Sequence, residues 1–205
     1  GISLGIFASA NNGTANVTIN GGKVNTVNHT APNGRGISAA SFNSVADVTI
    51  RGGEVSISTY TDGICTRSNN GTANITISGG QVSCITEAEP GIKASTDFGT
   101  ANINLSLTNG TDFIKATSYY AALESTGISA SVKIPTGKAI TIDGTTTVLG
   151  STVADYVFGD GTNKTLDDIA NQTLRPSKNV PVATGEQYDG IYQELGTWKN
   201  TDPDT

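Results

Sequence analysis

One segment recurs along this chain at a nearly fixed interval. NVTINGGKVNT at 16–26 returns as DVTIRGGEVSI at 47–57 and NITISGGQVSC at 74–84, and a looser copy, NINLSLTNG, occupies 102–110. The starting residues Asn16, Asp47, Asn74 and Asn102 are separated by 31, 27 and 28 positions. A Gly-Ile pair follows each of the first three copies, at Gly36-Ile37, Gly63-Ile64 and Gly91-Ile92, and Gly5-Ile6 reads as the tail of an earlier one. Self-similarity with a period of roughly 20–50 residues restricts a chain to solenoids, propellers and related arrays, in which no single unit can bury its apolar face alone.

The period inside each copy is two, which is the signature of a strand. Val17 and Ile19 flank Thr18, Val48 and Ile50 flank Thr49, Ile75 and Ile77 flank Thr76, and Ile103 and Leu105 flank Asn104. A second alternating run follows the Gly-Gly pair (Val24/Thr26, Val55/Ile57, Val82/Cys84), and a third starts at Gly-Ile (Ile37/Ala39, Ile64/Thr66, Ile92/Ala94). Three short strands per repeat, with no helical segment, predict a right-handed parallel β-helix and exclude helix-containing solenoids and four-stranded propeller blades. Stacking would place Val17, Val48, Ile75 and Ile103 in one internal ladder, Val24, Val55 and Val82 in a second, and Ile6, Ile37, Ile64 and Ile92 in a third. Gly21-Gly22, Gly52-Gly53 and Gly79-Gly80 fit corners that need positive φ. Asn16, Asp47, Asn74 and Asn102 would form an outward polar ladder able to hydrogen-bond along its length.

Composition agrees with a thin core. Charged residues are 15% and hydrophobic residues 36% of the 205 residues, enough for an architecture that buries every second residue of each strand. The formal charge of −6 argues against nucleic acid and anionic membrane surfaces as partners, and no apolar run reaches membrane-spanning length. The chain contains no Met and opens within a repeat, as expected of a trimmed piece of a longer protein.

The repeat fades after about residue 127. Val132 and Ile134 read as one more strand closed by Pro135, and ITIDGTTTVLG at 140–150 reads as a hairpin around Asp143-Gly144. Thr165–Asp168 has the pattern of a capping box and predicts a short helix near 165–173. The expected division is therefore β-helix over 1–134 and an irregular C-terminal capping or accessory region over 135–205.

Chemistry-bearing residues are few. In the stacked register Cys84 points inward beneath Ile57, whereas Cys65 points outward beside Lys93, so the two thiols should not form a disulfide. Cys65 is then a free thiol, read as incidental with a reactive thiol as the alternative. His29, the single histidine, sits in the loop at 29–36 and reads as solvated; too few ligands exist for a zinc or haem site. Lateral faces are where a filled solenoid can meet an extended polymer. Arg35, Asp62, Glu89, Tyr119 and Tyr120 lead into the third strand of successive coils, Tyr60 lies in the same turn, and Arg67 and Lys93 point outward from the strand itself. Tyr60, Arg67, Lys93, Tyr119 and Tyr120 are the candidate saccharide contacts: aromatic rings for stacking and cations for hydroxyls or uronates. Asp62 and Glu89, placed at equivalent positions of neighbouring coils, would repel unless a cation such as Ca²⁺ lay between them. No coil gathers the acids and base of an eliminative lyase, and no carboxylate pair is marked as shielded.

The strings DVTIRGGEVSISTYTDGICT and NITISGGQVSCITEAEPGIKAS resemble those of bacterial extracellular carbohydrate-binding β-helices with the pectate-lyase-like fold, over about residues 1–127. That resemblance implies an extracellular or cell-surface location and polysaccharide as partner. In that family an Asp before Gly-Ile can take part in calcium sites; Asp62 keeps it, whereas Arg35 and Pro90 replace it in the flanking coils. The leading expectation is non-catalytic polysaccharide binding along the lateral face. An adhesin or filament subunit that self-associates end to end, and a polysaccharide lyase or hydrolase, are the alternatives.

Overall fold

The computed structural model describes residues 4–28, 34–117, 123–134, 139–142, 146–149, 156–157, 163–165 and 173–176. Four three-strand coils follow one another: β1 (Leu4–Ala10), β2 (Ala15–Ile19) and β3 (Lys23–Asn28); β4 (Arg35–Ser41), β5 (Val45–Ile50) and β6 (Glu54–Thr59); β7 (Ile64–Ser68), β8 (Thr72–Ile77) and β9 (Gln81–Thr86); β10 (Ile92–Thr96), β11 (Thr100–Leu105) and β12 (Phe113–Thr117). β13 (Leu123–Thr126) and β14 (Ser129–Ile134) continue the stack. Every third strand pairs in parallel with the next, so β1-β4-β7-β10-β13, β2-β5-β8-β11-β14 and β3-β6-β9-β12 form three walls. This is a parallel β-solenoid, as the repeat predicts.

The register superposes equivalent residues of successive repeats. Val17, Val48, Ile75, Ile103 and Val132 are Cα partners in sequence, as are Ile6, Ile37, Ile64, Ile92 and Leu123. Val24, Val55 and Val82 are joined by Ile114. From the second coil onward these side chains are fully or almost fully buried. The strands are held about 4.8 Å apart by their hydrogen bonds, so each aliphatic group rests on the one below it.

The polar ladder on the outside forms from Asp47 onward, while Asn16 accepts instead from Thr18 Oγ1 at 3.1 Å. Asn74 Nδ2 donates to Asp47 Oδ1 at 2.8 Å, Asn102 Nδ2 to Asn74 Oδ1 at 3.0 Å, and Ser131 Oγ to Asn102 Oδ1 at 2.9 Å. A second ladder runs along another corner, where Asn70 Nδ2 donates to Asn43 Oδ1 and Asn43 Nδ2 to Asn12 Oδ1, both at 2.8 Å. Amides suit this role because each carries a donor and an acceptor and passes the bond on to the next coil.

The fourth copy looks loose for a local reason. β11 keeps register with β8 up to Leu105, and Phe113 pairs with Gln81, so a longer turn replaces the Gly-Gly corner. Asp112, 4% exposed, organises that turn by accepting bonds from the backbone N–H of Gly80 (3.0 Å), Asn109 (2.8 Å) and Thr108 (3.3 Å).

Further on, β15 (Ala139–Ile142) and β16 (Thr146–Leu149) form the antiparallel hairpin expected around 143–144. β17 (Tyr156–Val157), β18 (Asn163–Thr165) and β19 (Thr173–Pro176) each add one antiparallel strand to a different wall, against β14, β13 and β12 respectively. The pairing covers part of each wall's last parallel strand: two residues of β14, three of β13 and two of β12. In the segment predicted as helix, Thr165 closes β18 and 166–172 lie outside the described residues.

Candidate functional site

The outer surface of the β1-β4-β7-β10-β13 wall carries two columns. Phe7, Ser38, Cys65, Lys93 and Glu124 form one; Ser9, Ala40, Arg67, Ser95 and Thr126 form the other. Between this surface and the turns that lead into it lies an open groove of about 760 Å³, whose lining includes Phe7, Arg35, Asp62, Arg67, Glu89, Lys93, Ser95 and Asp97. Of the candidate saccharide contacts, Arg67 and Lys93 line the groove; Tyr60, 37% exposed, is not part of its lining. Tyr119, Tyr120 and His29 lie outside the described residues. Phe7, Ser95, Asp97 and Glu124 escaped notice in the sequence. Register alone would have found Glu124, since Leu123 occupies the Ile92 column without the Gly-Ile signature.

Charges in the groove are arranged in pairs. Arg35 Nε lies 3.4 Å from Asp62 Oδ2, Lys93 Nζ lies 3.2 Å from Glu89 Oε2 and 3.3 Å from Glu124 Oε1, and Arg67 Nη2 lies 3.9 Å from Asp97 Oδ2. Burial pulls the Lys93 ammonium down, but the charges of Glu124, Asp62 and Glu89 outweigh it and hold the group above its usual value. Asp62 moves the other way for an acid. Burial raises its carboxyl above the ordinary 3.8, the nearby Glu89 charge adds to this, and Lys93 and Arg35 only partly offset the rise. Asp62 is 7% exposed and its Oδ1 has no hydrogen-bond partner.

Counted from the paired Thr59 and Thr86, Asp62 and Glu89 hold the same place, and their backbone carbonyls accept from Thr59 Oγ1 (3.4 Å) and Thr86 Oγ1 (2.6 Å). The turn before β10 is one residue longer, so counted back from the paired Ile64 and Ile92, Asp62 aligns with Pro90. Each carboxylate has a cationic neighbour, Arg35 for Asp62 and Lys93 for Glu89, and no group of three or more His, Cys, Asp or Glu suited to a metal occurs among the described residues. Cys65 does lie beside Lys93 on the outer surface, but it is not a reactive thiol. It is 4% exposed, its Sγ donates to Ser38 Oγ at 3.1 Å, and burial with the Asp62 charge pushes it up to about 12. Cys84 faces inward beneath Ile57, burial pushes it likewise up to about 12, and both thiols are free.

The Asp62 environment gives a stability prediction. A carboxyl raised on folding makes the native state bind more protons than the unfolded chain between the two values, so its contribution falls as pH rises through that window. Asp62→Asn should therefore match the wild type below pH 3.8 and gain on it as pH rises, retaining the fold at neutral pH. Urea midpoints of both proteins from acid to neutral pH check this; a gap that widens in the wild type's favour would refute it.

No protein-family model, curated protein or solved structure matches the chain.

Proposed function

We propose that this chain is a non-catalytic, extracellular or cell-surface module that binds polysaccharide along the outer face of the β1-β4-β7-β10-β13 wall. The supporting observation is the groove on that face, which runs across successive coils and offers carboxylates, cations, hydroxyls and the Phe7 ring together. An open, mixed polar and aromatic surface of this kind suits a hydroxylated polymer, whose rings present apolar faces and polar rims. The sequence resemblance to carbohydrate-binding β-helices points the same way.

The test is retention of the chain by a panel of neutral, acidic and amino polysaccharides, wild type against Ser95→Trp. Ser95 is half-buried in the groove on β10, so an indole there should obstruct the polymer and weaken retention by at least about tenfold. Thr76→Trp on a different wall should leave retention unchanged. Failure of every polymer to retain the wild type would overturn the proposal.

Two observations favour other readings. Asp62, with its raised carboxyl in a groove near Glu89, has the character of a general acid, which is the case for a lyase or hydrolase; release of reducing ends or unsaturated uronates would establish it. Ile6, Ala8, Ala10 and Val24 of the first coil are only partly buried against the core. Another coil, of this or a second chain, would cover them, which is the case for end-to-end self-association in an adhesin or filament; sizing at rising concentration reads it.

A further inference from the structure

Resting on the polysaccharide reading above, we infer that the groove selects an uncharged, hydroxyl-bearing sugar over a uronate, with the Asp62 carboxylate as the hydrogen-bond acceptor on its floor. Three cations line the groove, Arg35, Arg67 and Lys93, and each already faces a carboxylate. The acids of the lining, Asp62, Glu89 and Asp97, match them in number, and Glu124 adds a second carboxylate to Lys93 from beside the groove. A uronate would gain a cation, and an amino sugar a carboxylate, only by taking one from an existing pair.

Donors are in the opposite position. Asp62 Oδ2 meets Arg35, while Oδ1 is buried with no hydrogen-bond partner. Each carboxylate oxygen has two lone pairs, and Oδ2 meets the Arg35 Nε at 3.4 Å, so the carboxylate that lines the groove keeps acceptor capacity for a further donor. An ionised carboxylate accepts only, and a sugar hydroxyl is the donor that satisfies it without adding charge. Phe7, 45% exposed at one end of the same column of residues, offers a face for the C–H side of a pyranose ring.

The experiment compares binding of the full chain to a soluble uncharged glucomannan, to polygalacturonate and to chitosan, at low and high salt. Glucomannan should bind best, and its affinity should hardly change with salt because no net charge is neutralised. Asp62→Asn should lower glucomannan affinity by about tenfold and raise polygalacturonate affinity, because Arg35 is released. Glu124→Gln, which releases one of the two carboxylates on Lys93, should raise polygalacturonate affinity in the same direction, and it keeps the test open if the Asp62 variant does not fold. Preference of the wild type for polygalacturonate or chitosan, or an Asp62→Asn variant that folds and binds glucomannan as before, would overturn this inference while leaving polysaccharide binding intact. Binding to none of the three would overturn the underlying reading as well.

Discussion

Replacing Gly53 by Ala should destabilise the solenoid by roughly 3 kcal/mol or more, whereas the same change at Gly21 should be close to neutral. The three Gly-Gly corners are chemically alike but not sterically alike. Gly53 has φ of 90°, and a Cβ on it would meet Gly22 O at 2.5 Å and Gly21 C at 2.8 Å. Those are backbone atoms of the coil beneath, which cannot swing away as a side chain could. Gly22 has a similar φ of 83° but open space around a would-be Cβ. Gly22→Ala therefore incurs the left-handed backbone term alone, about 1–2 kcal/mol. Gly21 has neither constraint, and Ala there restricts the unfolded chain, so a change within about 0.5 kcal/mol is expected. Chemical denaturation of the three variants yields the ordering Gly21, Gly22, Gly53. Equal losses at Gly22 and Gly53 would mean that the corners do not rest on one another.

This contrast also marks what a single sequence can reveal. Periodicity in Val, Ile and Gly was enough to place every wall, the inward residues of the first three coils and the Asn74-centred ladder, because each depends on the same residue recurring at the same phase. Where a coil departs from the phase, legibility fails. The turn before β10 carries one extra residue, so Asp62 matches Glu89 counted from β6 and Pro90 counted from β7. The corner before β12 has lost its Gly-Gly pair, so nothing in NINLSLTNG announces that Asp112 will bind three backbone N–H groups. The groove is of this second kind. Arg67 and Lys93 are legible because strand alternation fixes their direction, and Glu89 lies only four residues before Lys93, but the pairing of Arg35 with Asp62 and of Lys93 with Glu124 follows from contacts between coils, which no local pattern encodes. Burial of Cys65 has the same origin: alternation gives its outward direction correctly, while the turns and neighbouring side chains that enclose it come from other repeats.

Truncation of Ile64 to Ala should cost about 3 kcal/mol, within the 2–5 kcal/mol usual for a fully buried aliphatic, and should loosen the groove as well as the core. Ile64 lies between Ile37 and Ile92 in one column, and all three are completely buried. Each coil of a solenoid touches only its neighbours, so a cavity at this level weakens two interfaces. Ile6, in the same column but half-buried in the first coil, has only Ile37 above it among the described residues; Ile6→Ala should cost about 1 kcal/mol. The consequence for function follows from strand alternation: Cys65 and Arg67 hang from the other face of the strand that Ile64 anchors. Lost packing behind β7 should therefore appear as faster amide exchange in 64–68 and in the paired 92–96, with 15–19 nearly unchanged, and as weaker polysaccharide retention without any change of charge in the groove. Denaturation midpoints and amide exchange of Ile64→Ala and Ile6→Ala measure both effects. Equal destabilisation by the two substitutions would contradict the stacked column on which the position of the groove depends.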